Sequence, residues 1–357
     1  MSIESQKQDL LNKINSVESN LISAGTDLAE MRNIIAQMHC DNPQPPDPPD
    51  PPQPTSKVSI SGKNFVWNGQ KALFIFDTAW SLLDNLTDAE IKYYIDTRRA
   101  QGFNGIIFSM NSSQIQTGGG YSFLESHMNR AKGVLDYLAS LGMWGFIGMS
   151  GVIYRNGVPV DAIPYEHCHE LAKSFTQSLS SYSNIPFVFL DALDAHTVNG
   201  QPVPNPIKVQ HAKELCRGAK DGDPSRLVVP HPRHGKSSID SAEGFPIGSS
   251  HDFPVLHSGH SSGKVPSFVQ GMYSTARDYY PNLPILNIEP CYVGYNGVTE
   301  ANVKQIAYID QYNGPSIVNG HIDVAVFTAN WKNALQNAGA RYVVEAGRRM
   351  GTPTVFG

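Results

Sequence analysis

The chain is poor in charge, in cysteine and in long apolar runs, and each shortage removes a class of function. Of its 357 residues 17% are charged, the formal balance is −5, and Lys and Arg nowhere form a dense cluster. Nucleic acid and anionic membrane surfaces call for such a cluster, so neither is expected as a partner. No apolar stretch approaches the roughly 18 residues of a membrane span. The first residues, "MSIESQKQDLLNK", lack the apolar core of a signal peptide, so signal-dependent export is not expected either. Four cysteines, Cys40, Cys168, Cys216 and Cys291, are widely scattered and form no C-x-x-C pair. That removes a disulfide framework and a thiolate metal site, and buried free thiols made in a reducing compartment are the expectation.

Proline, by contrast, is concentrated. The segment "DNPQPPDPPDPPQPT", Asp41 to Thr55, holds eight prolines in fifteen residues. Such a run lacks backbone donors and settles into an extended polyproline II rod, of roughly 3.1 Å per residue. Before it, Leu10, Ile14, Val17, Leu21, Ala24, Leu28, Met31, Ile35 and Met38 follow one another in alternating steps of four and three. This is the a/d seam of a coiled coil. A helix tethered by a stiff rod finds copies of itself more readily than a distant core, and the mixed, partly β-branched d positions favour a trimer over a dimer. Residues 1–40 are therefore expected to be a self-associating coiled-coil helix, 41–56 a Pro-rich linker and 57–357 a globular head.

The head alternates short apolar runs with amphipathic helical patterns. The runs are "ALFIFDTAW" (72–80), "GIIFSM" (105–110), "WGFIGMS" (144–150), "PFVFLDALD" (186–194), "LVVPHP" (227–232), "SSHDFPVL" (249–256), "PILNIEP" (284–290) and "DVAVFTANW" (323–331). Helices between them carry end signals: a Thr87-x-x-Glu90 capping box with a stop at Gly102, a stop at Gly142, and a helix from Thr299 to Gly314. Strands buried on both faces, each followed by a helix, imply a parallel sheet, and eight such units imply an α/β fold of the (β/α)8 TIM-barrel type. An open dinucleotide-binding sheet would supply a glycine-rich first βα turn; here that turn is "FDTAWSLL". The leading "VSISGKNFVWNGQKA" predicts a hairpin beneath the barrel.

Chemistry in such a barrel sits at the C-terminal ends of the strands. Two carboxylates stand there on opposite sides of the mouth, Asp194 after the fourth strand and Glu289 after the seventh. Glycoside hydrolysis needs one carboxyl group to protonate the leaving oxygen and one carboxylate to attack the anomeric carbon or activate water. Around them Trp80, Tyr292 and Trp331 can stack on a sugar face, and Asp77, Asp191, His231, His257 and His260 can bind hydroxyls. The histidines lie in separate βα loops without metal-site spacing, so no metal and no other cofactor is expected. "GHSSG", Gly259 to Gly263, matches an esterase elbow in letters, but Gly263 and Pro266 delay the helix that the elbow requires.

Six stretches in register resemble the apiosidase-like glycoside hydrolases: "NFVWNGQKALFIFDTAWSLLDNLTDAEIKYYIDTRRAQGFNGI", then "PHP" with "GKSS", "HDFPVLHSGH", "PILNIEPCY" and "NWKNALQNAGA". The resemblance implies a retaining glycosidase with Asp194 as acid/base and Glu289 as nucleophile. Where the family has Trp and Gly-Gly-Asp at the fourth strand end this chain has "VFLDALDAH", which leaves Asp191 as a second match for the acid/base. Where the family has a further Glu after the seventh strand, this chain has Val293.

Stalk, rod and glycosidase head together resemble a phage tail spike or fibre tip, made in the host cytoplasm and carried on the virion. The expected activity is cleavage of a bacterial capsule, exopolysaccharide or O-antigen. A receptor-binding tail protein that holds glycan on a degenerate barrel is the alternative. Residues 1–40 as an isolated peptide are expected to be helical and oligomeric. Analytical ultracentrifugation showing a monomer for both peptide and full chain would contradict the seam.

Overall fold

The computed structural model describes residues 57–111, 114–116, 121–150, 165–191, 197–198, 201–202, 205–238, 251–259 and 264–357. The segments expected to form a coiled-coil helix (1–40) and a Pro-rich linker (41–56), and with them Asp194 and His260, lie outside the described residues. Eight strands recur in order: β1 (Phe74–Thr78), β2 (Gly105–Asn111), β3 (Trp144–Ser150), β4 (Phe187–Leu190), β5 (Leu227–Pro230), β6 (Val255–His257), β7 (Leu286–Asn287) and β8 (Ser316–Asn319). Six of them form one parallel sheet in the order β5-β4-β3-β2-β1-β8, so the last strand lies beside the first. Strands β6 and β7 pair in parallel in a second, smaller sheet, and Asp252 N–H donates to Val228 O of β5 at 3.0 Å. The result is a curled parallel half-barrel.

Among the described residues seven longer helices alternate with the strands: α1 (Asp88–Gln101), α2 (Glu125–Ser140), α3 (Tyr165–Ser178), α4 (Asn205–Gly222), α5 (Pro266–Tyr279), α6 (Glu300–Asn313) and α7 (Ala338–Met350). The sequence signals act where they were placed. Thr87 Oγ1 accepts from Glu90 N–H while Glu90 accepts from Thr87 N–H, and the helix ends at Gly102 with φ of 105°. Thr299 and Asn302 form the same reciprocal box before α6. Each box satisfies amide donors that the first turn would otherwise leave unpaired. Among the described residues no helix is long and apolar enough to cross a membrane.

Before β1, the strands Ser59–Ser61, Asn64–Trp67 and Gln70–Ala72 form an antiparallel sheet, with Asn68 and Gly69 at positive φ in the turn. This matches the predicted hairpin with one further strand. Its inward rings meet the lower core: Phe65 packs on Phe74, Phe187 and Phe253, and Trp67 on Trp144. Above them Phe76, Phe146 and Phe189 continue an aromatic interior. A Cβ at Gly105 would come within 2.5 Å of the Phe76 ring, and one at Gly148 within 2.4 Å of the Phe189 ring. Such close approach is what glycine supplies inside a strand.

The eighth strand is not where the apolar run suggested. "DVAVFTANW" contains most of a short helix, Ile322–Ala325, and a turn through Phe327 at φ of 51°. The strand is the preceding "SIVN", which pairs Ser316 with Phe74 through Asn319 with Asp77. Cys168, Cys216 and Cys291 are buried thiols outside any disulfide, as expected, and burial pushes the Cys168 and Cys291 thiols up to about 12.

Behind β7, the buried Asp310 of α6 accepts from Tyr273 Oη at 2.9 Å and Asn287 Nδ2 at 3.3 Å. Burial dominates these bonds and pushes its carboxyl up to about 7. An aspartate raised in the folded state favours folding while protonated, so its contribution is full below about pH 4 and is lost as pH rises through about 7. Asp310→Asn removes that dependence. Its melting temperature relative to wild type is expected to improve steadily from pH 4 to pH 8, and a difference that stays flat would contradict the assignment.

Candidate active site

Five strand ends, from the six-stranded sheet and from the smaller one, converge at the C-terminal face. Trp80 follows β1, Asp191 follows β4, His231 follows β5, His257 ends β6 and Glu289 follows β7. Main-chain bonds carry the register into this layer. Asp191 N–H donates to Met149 O at 2.8 Å, His231 N–H to Leu190 O at 2.9 Å, and Gly259 N–H to Glu289 O at 3.1 Å. The side chains therefore project from paired backbone rather than from loose loops.

Glu289 is 6% exposed. Its Oε2 lies 3.0 Å from His231 Nε2 and 3.3 Å from His257 Nε2. His257 Nδ1 lies 3.0 Å from Pro232 O. A carbonyl only accepts, so Nδ1 of His257 carries the proton. The two imidazoles meet with centroids 5.0 Å apart, and Trp80 stands edge-on to His231 at 5.5 Å. Ser109 Oγ donates to Trp80 O at 2.8 Å, and the Trp80 indole donates to Tyr292 Oη at 2.6 Å. Burial, and after it the negative charge of Glu289, holds the Tyr292 phenol far above its ordinary range, so it stays protonated. Its ring lies against Gly320, where an added Cβ would fall 1.8 Å from a ring carbon.

Trp80, Asp191, His231, His257, Glu289 and Tyr292 thus belong to one constellation. Asp191 Oδ1 lies 3.9 Å from His231 Nδ1, so that ring stands between Asp191 and Glu289. Two expected sugar contacts are corrected. Asp77 is 1% exposed. Its Oδ2 accepts from Tyr94 Oη and Arg98 Nε, each at 2.6 Å, and its Oδ1 from Asn319 Nδ2 at 2.5 Å. Both oxygens serve to tie β1 to α1 and β8. Trp331 follows no strand; it begins the short helix Trp331–Ala334 and packs against Phe327, Tyr94 and Tyr93.

Sequence reasoning missed His234 and His321. The His234 ring lies 5.3 Å from that of His257 and so close to Gly259 that a Cβ there would fall 2.3 Å from it. The spacing His231-x-x-His234 was the available signal. His321 follows β8, and its Nδ1 accepts from Asp323 N–H; burial lowers the pKa of the ring. Its signal was lost with the misplaced eighth strand. The one group of three described residues able to hold a metal ion is His231, His257 and Glu289, whose ligand atoms all lie within 4.8 Å of one another.

The family model of the apiosidase-like catalytic domain matches residues 60–353. No curated protein sequence matches the chain. Among solved structures, a glycoside hydrolase family 5 protein from Bacteroides vulgatus superposes with TM-score 0.63 at 17% identity, covering 80% of this chain and 69% of that one. The endo-1,4-β-mannanase of Rhizomucor miehei gives TM-score 0.61 at 14% identity, over 83% of this chain and 99% of that one. The exo-β-1,4-mannosidase Op5Man5 from Opitutaceae bacterium strain TAV5 gives 0.59 at 14% identity, over 82% and 62%. At these identities the likeness is one of fold.

Asp77→Ala leaves the buried Arg98 guanidinium without its counter-charge, which typically costs about 3–5 kcal/mol. Urea unfolding is expected to show a loss of that order, while the folded variant keeps the wild-type KM for any glycan it cleaves. A raised KM with unchanged stability would return Asp77 to the sugar site.

Proposed function

The chain belongs to the apiosidase-like family of glycoside hydrolase catalytic domains, and from that premise we propose that it cleaves a bacterial surface polysaccharide by a retaining mechanism. The observation that carries this reading is Glu289 itself: a buried carboxylate at the seventh strand end, approached by two imidazoles, with Trp80 and Tyr292 beside it. In this reading the Glu289 carboxylate attacks the anomeric carbon and forms a glycosyl ester, while the carboxyl group of Asp194 gives its proton to the departing oxygen. Asp194 then takes a proton from the water that cleaves the ester, which restores both groups. Trp80 offers its face to the sugar, and the eight strands close into a full barrel beneath the site.

The substrate follows from the organisation of the whole chain. A coiled-coil stalk over residues 1–40 gathers three heads, and the Pro-rich segment 41–56 holds them clear of the bundle. Several tethered heads bind a repeating polymer with an avidity that one head lacks. This suits a phage tail depolymerase made in the host cytoplasm and carried on the virion, with capsule, exopolysaccharide or O-antigen as target. Two observations favour a second reading, in which the barrel binds glycan without turnover. His231 stands between Asp191 and Glu289, and Val293 occupies a position where the resembling family has a carboxylate.

Reducing-end release from a panel of capsules and O-antigens separates the two readings. Glu289→Gln is expected to abolish turnover while keeping glycan binding, because ground-state contacts survive the loss of the nucleophile. Asp194→Asn should be comparably slow on the polymer yet far less impaired on an aryl glycoside, whose leaving group needs no proton. If Asp191→Asn shows that pattern instead, Asp191 is the acid/base. A wild type that binds a glycan and never cleaves it establishes the binding protein.

A further inference from the structure

We propose that His231 Nε2, His257 Nε2 and Glu289 Oε2 form a binding site for one divalent transition-metal ion of the zinc type. Nothing in this inference rests on the glycosidase reading. It starts from the orientation of His257. With Nδ1 donating to Pro232 O, the ring presents Nε2 to Glu289 Oε2, 3.3 Å away. His231 Nε2 approaches the same oxygen at 3.0 Å. Two imidazole nitrogens and one carboxylate oxygen thus converge on one small volume, all within 4.8 Å of one another.

The geometry suits a metal ion. With bonds of about 2.0–2.1 Å, a tetrahedral ion sets its ligand atoms about 3.3 Å apart along each edge. The two nitrogen–oxygen edges here are 3.0 and 3.3 Å. All three side chains are buried, and each comes from a different strand end, β5, β6 or β7, so the set is organised in advance. The surroundings match as well. Metal-bound histidines usually donate their other ring N–H to a backbone carbonyl or a carboxylate, which fixes the ring. His257 does so to Pro232 O, and His231 turns its Nδ1 toward Asp191 at 3.9 Å. Two imidazoles and one carboxylate favour zinc and its neighbours over calcium or magnesium, which prefer oxygen. Three protein ligands also leave a fourth position for water or another small donor.

The expectation of no metal rested on linear spacing, and spacing misleads here. His231, His257 and Glu289 are far apart in sequence, yet neighbouring strand ends bring them within 4.8 Å. An ion on Oε2 neutralises Glu289, so zinc is expected to inhibit any turnover that uses Glu289 as nucleophile.

The test uses the full chain, stripped with a chelator, dialysed against micromolar Zn²⁺ and assayed by elemental analysis. The expected result is one ion per chain, with a melting temperature that rises with Zn²⁺ concentration as mass action requires. The variant carrying both His231→Gln and His257→Gln should lose the ion and the thermal shift while keeping the wild-type circular dichroism. Should that variant fail to fold, Co²⁺ in the wild-type chain gives the answer. Nitrogen and oxygen ligands produce visible ligand-field bands without the thiolate charge-transfer band that cysteine would add. No bound ion in the wild type, an ion retained by the double variant, or a thiolate band would each overturn the proposal.

Discussion

The site turns on the burial of a single carboxylate. Glu289 sits almost out of water, and an isolated ionised carboxylate in such a place is strongly disfavoured unless positive charge or hydrogen-bond donors meet it. The chain meets it with two imidazoles brought from two other strands. The parallel pairing of β6 with β7 sets the height of His257 against Glu289, and the main-chain bond from His231 to Leu190 sets the height of His231.

The layer below explains why the meeting can be so close. The interior is filled by phenylalanine rings from β1, β3 and β4, with glycine opposite them where a Cβ would collide, so neighbouring strands cannot slide past one another. Asp77 belongs to this frame rather than to the chemistry. Placed at the end of β1, where a catalytic acid would stand, its carboxylate is held by Arg98, Tyr94 and Asn319 and clamps three elements together.

Much of this was legible in the sequence. Strands β1 to β5 announced themselves as apolar runs, and the capping box at Thr87 marked a helix start whose hydrogen bonds are present. Glu289, His231 and His257 were selected as polar residues at strand ends, and Trp80 and Tyr292 as aromatic rings beside them; the structure places all five together. What failed did so for physical reasons. Strand β8 has four residues between glycines, too short to outweigh the longer apolar run of "DVAVFTANW". Asp77 looked like a site residue because its partner Arg98 lies on the following helix and Asn319 lies 242 residues away. The convergence of two histidines on one oxygen depends on how far each strand extends, and one-dimensional spacing carries no such information.

The central claim is that the carboxylate of Glu289 is the reacting group of a glycosidase. It is tested most directly by quenching the wild-type chain with acid during turnover of a polysaccharide it cleaves, and then locating any attached sugar by peptide mass spectrometry. The account predicts a glycosyl ester on the peptide containing Glu289, on Glu289 itself. An ester on another residue, or rapid turnover with no ester and inverted product, would contradict it.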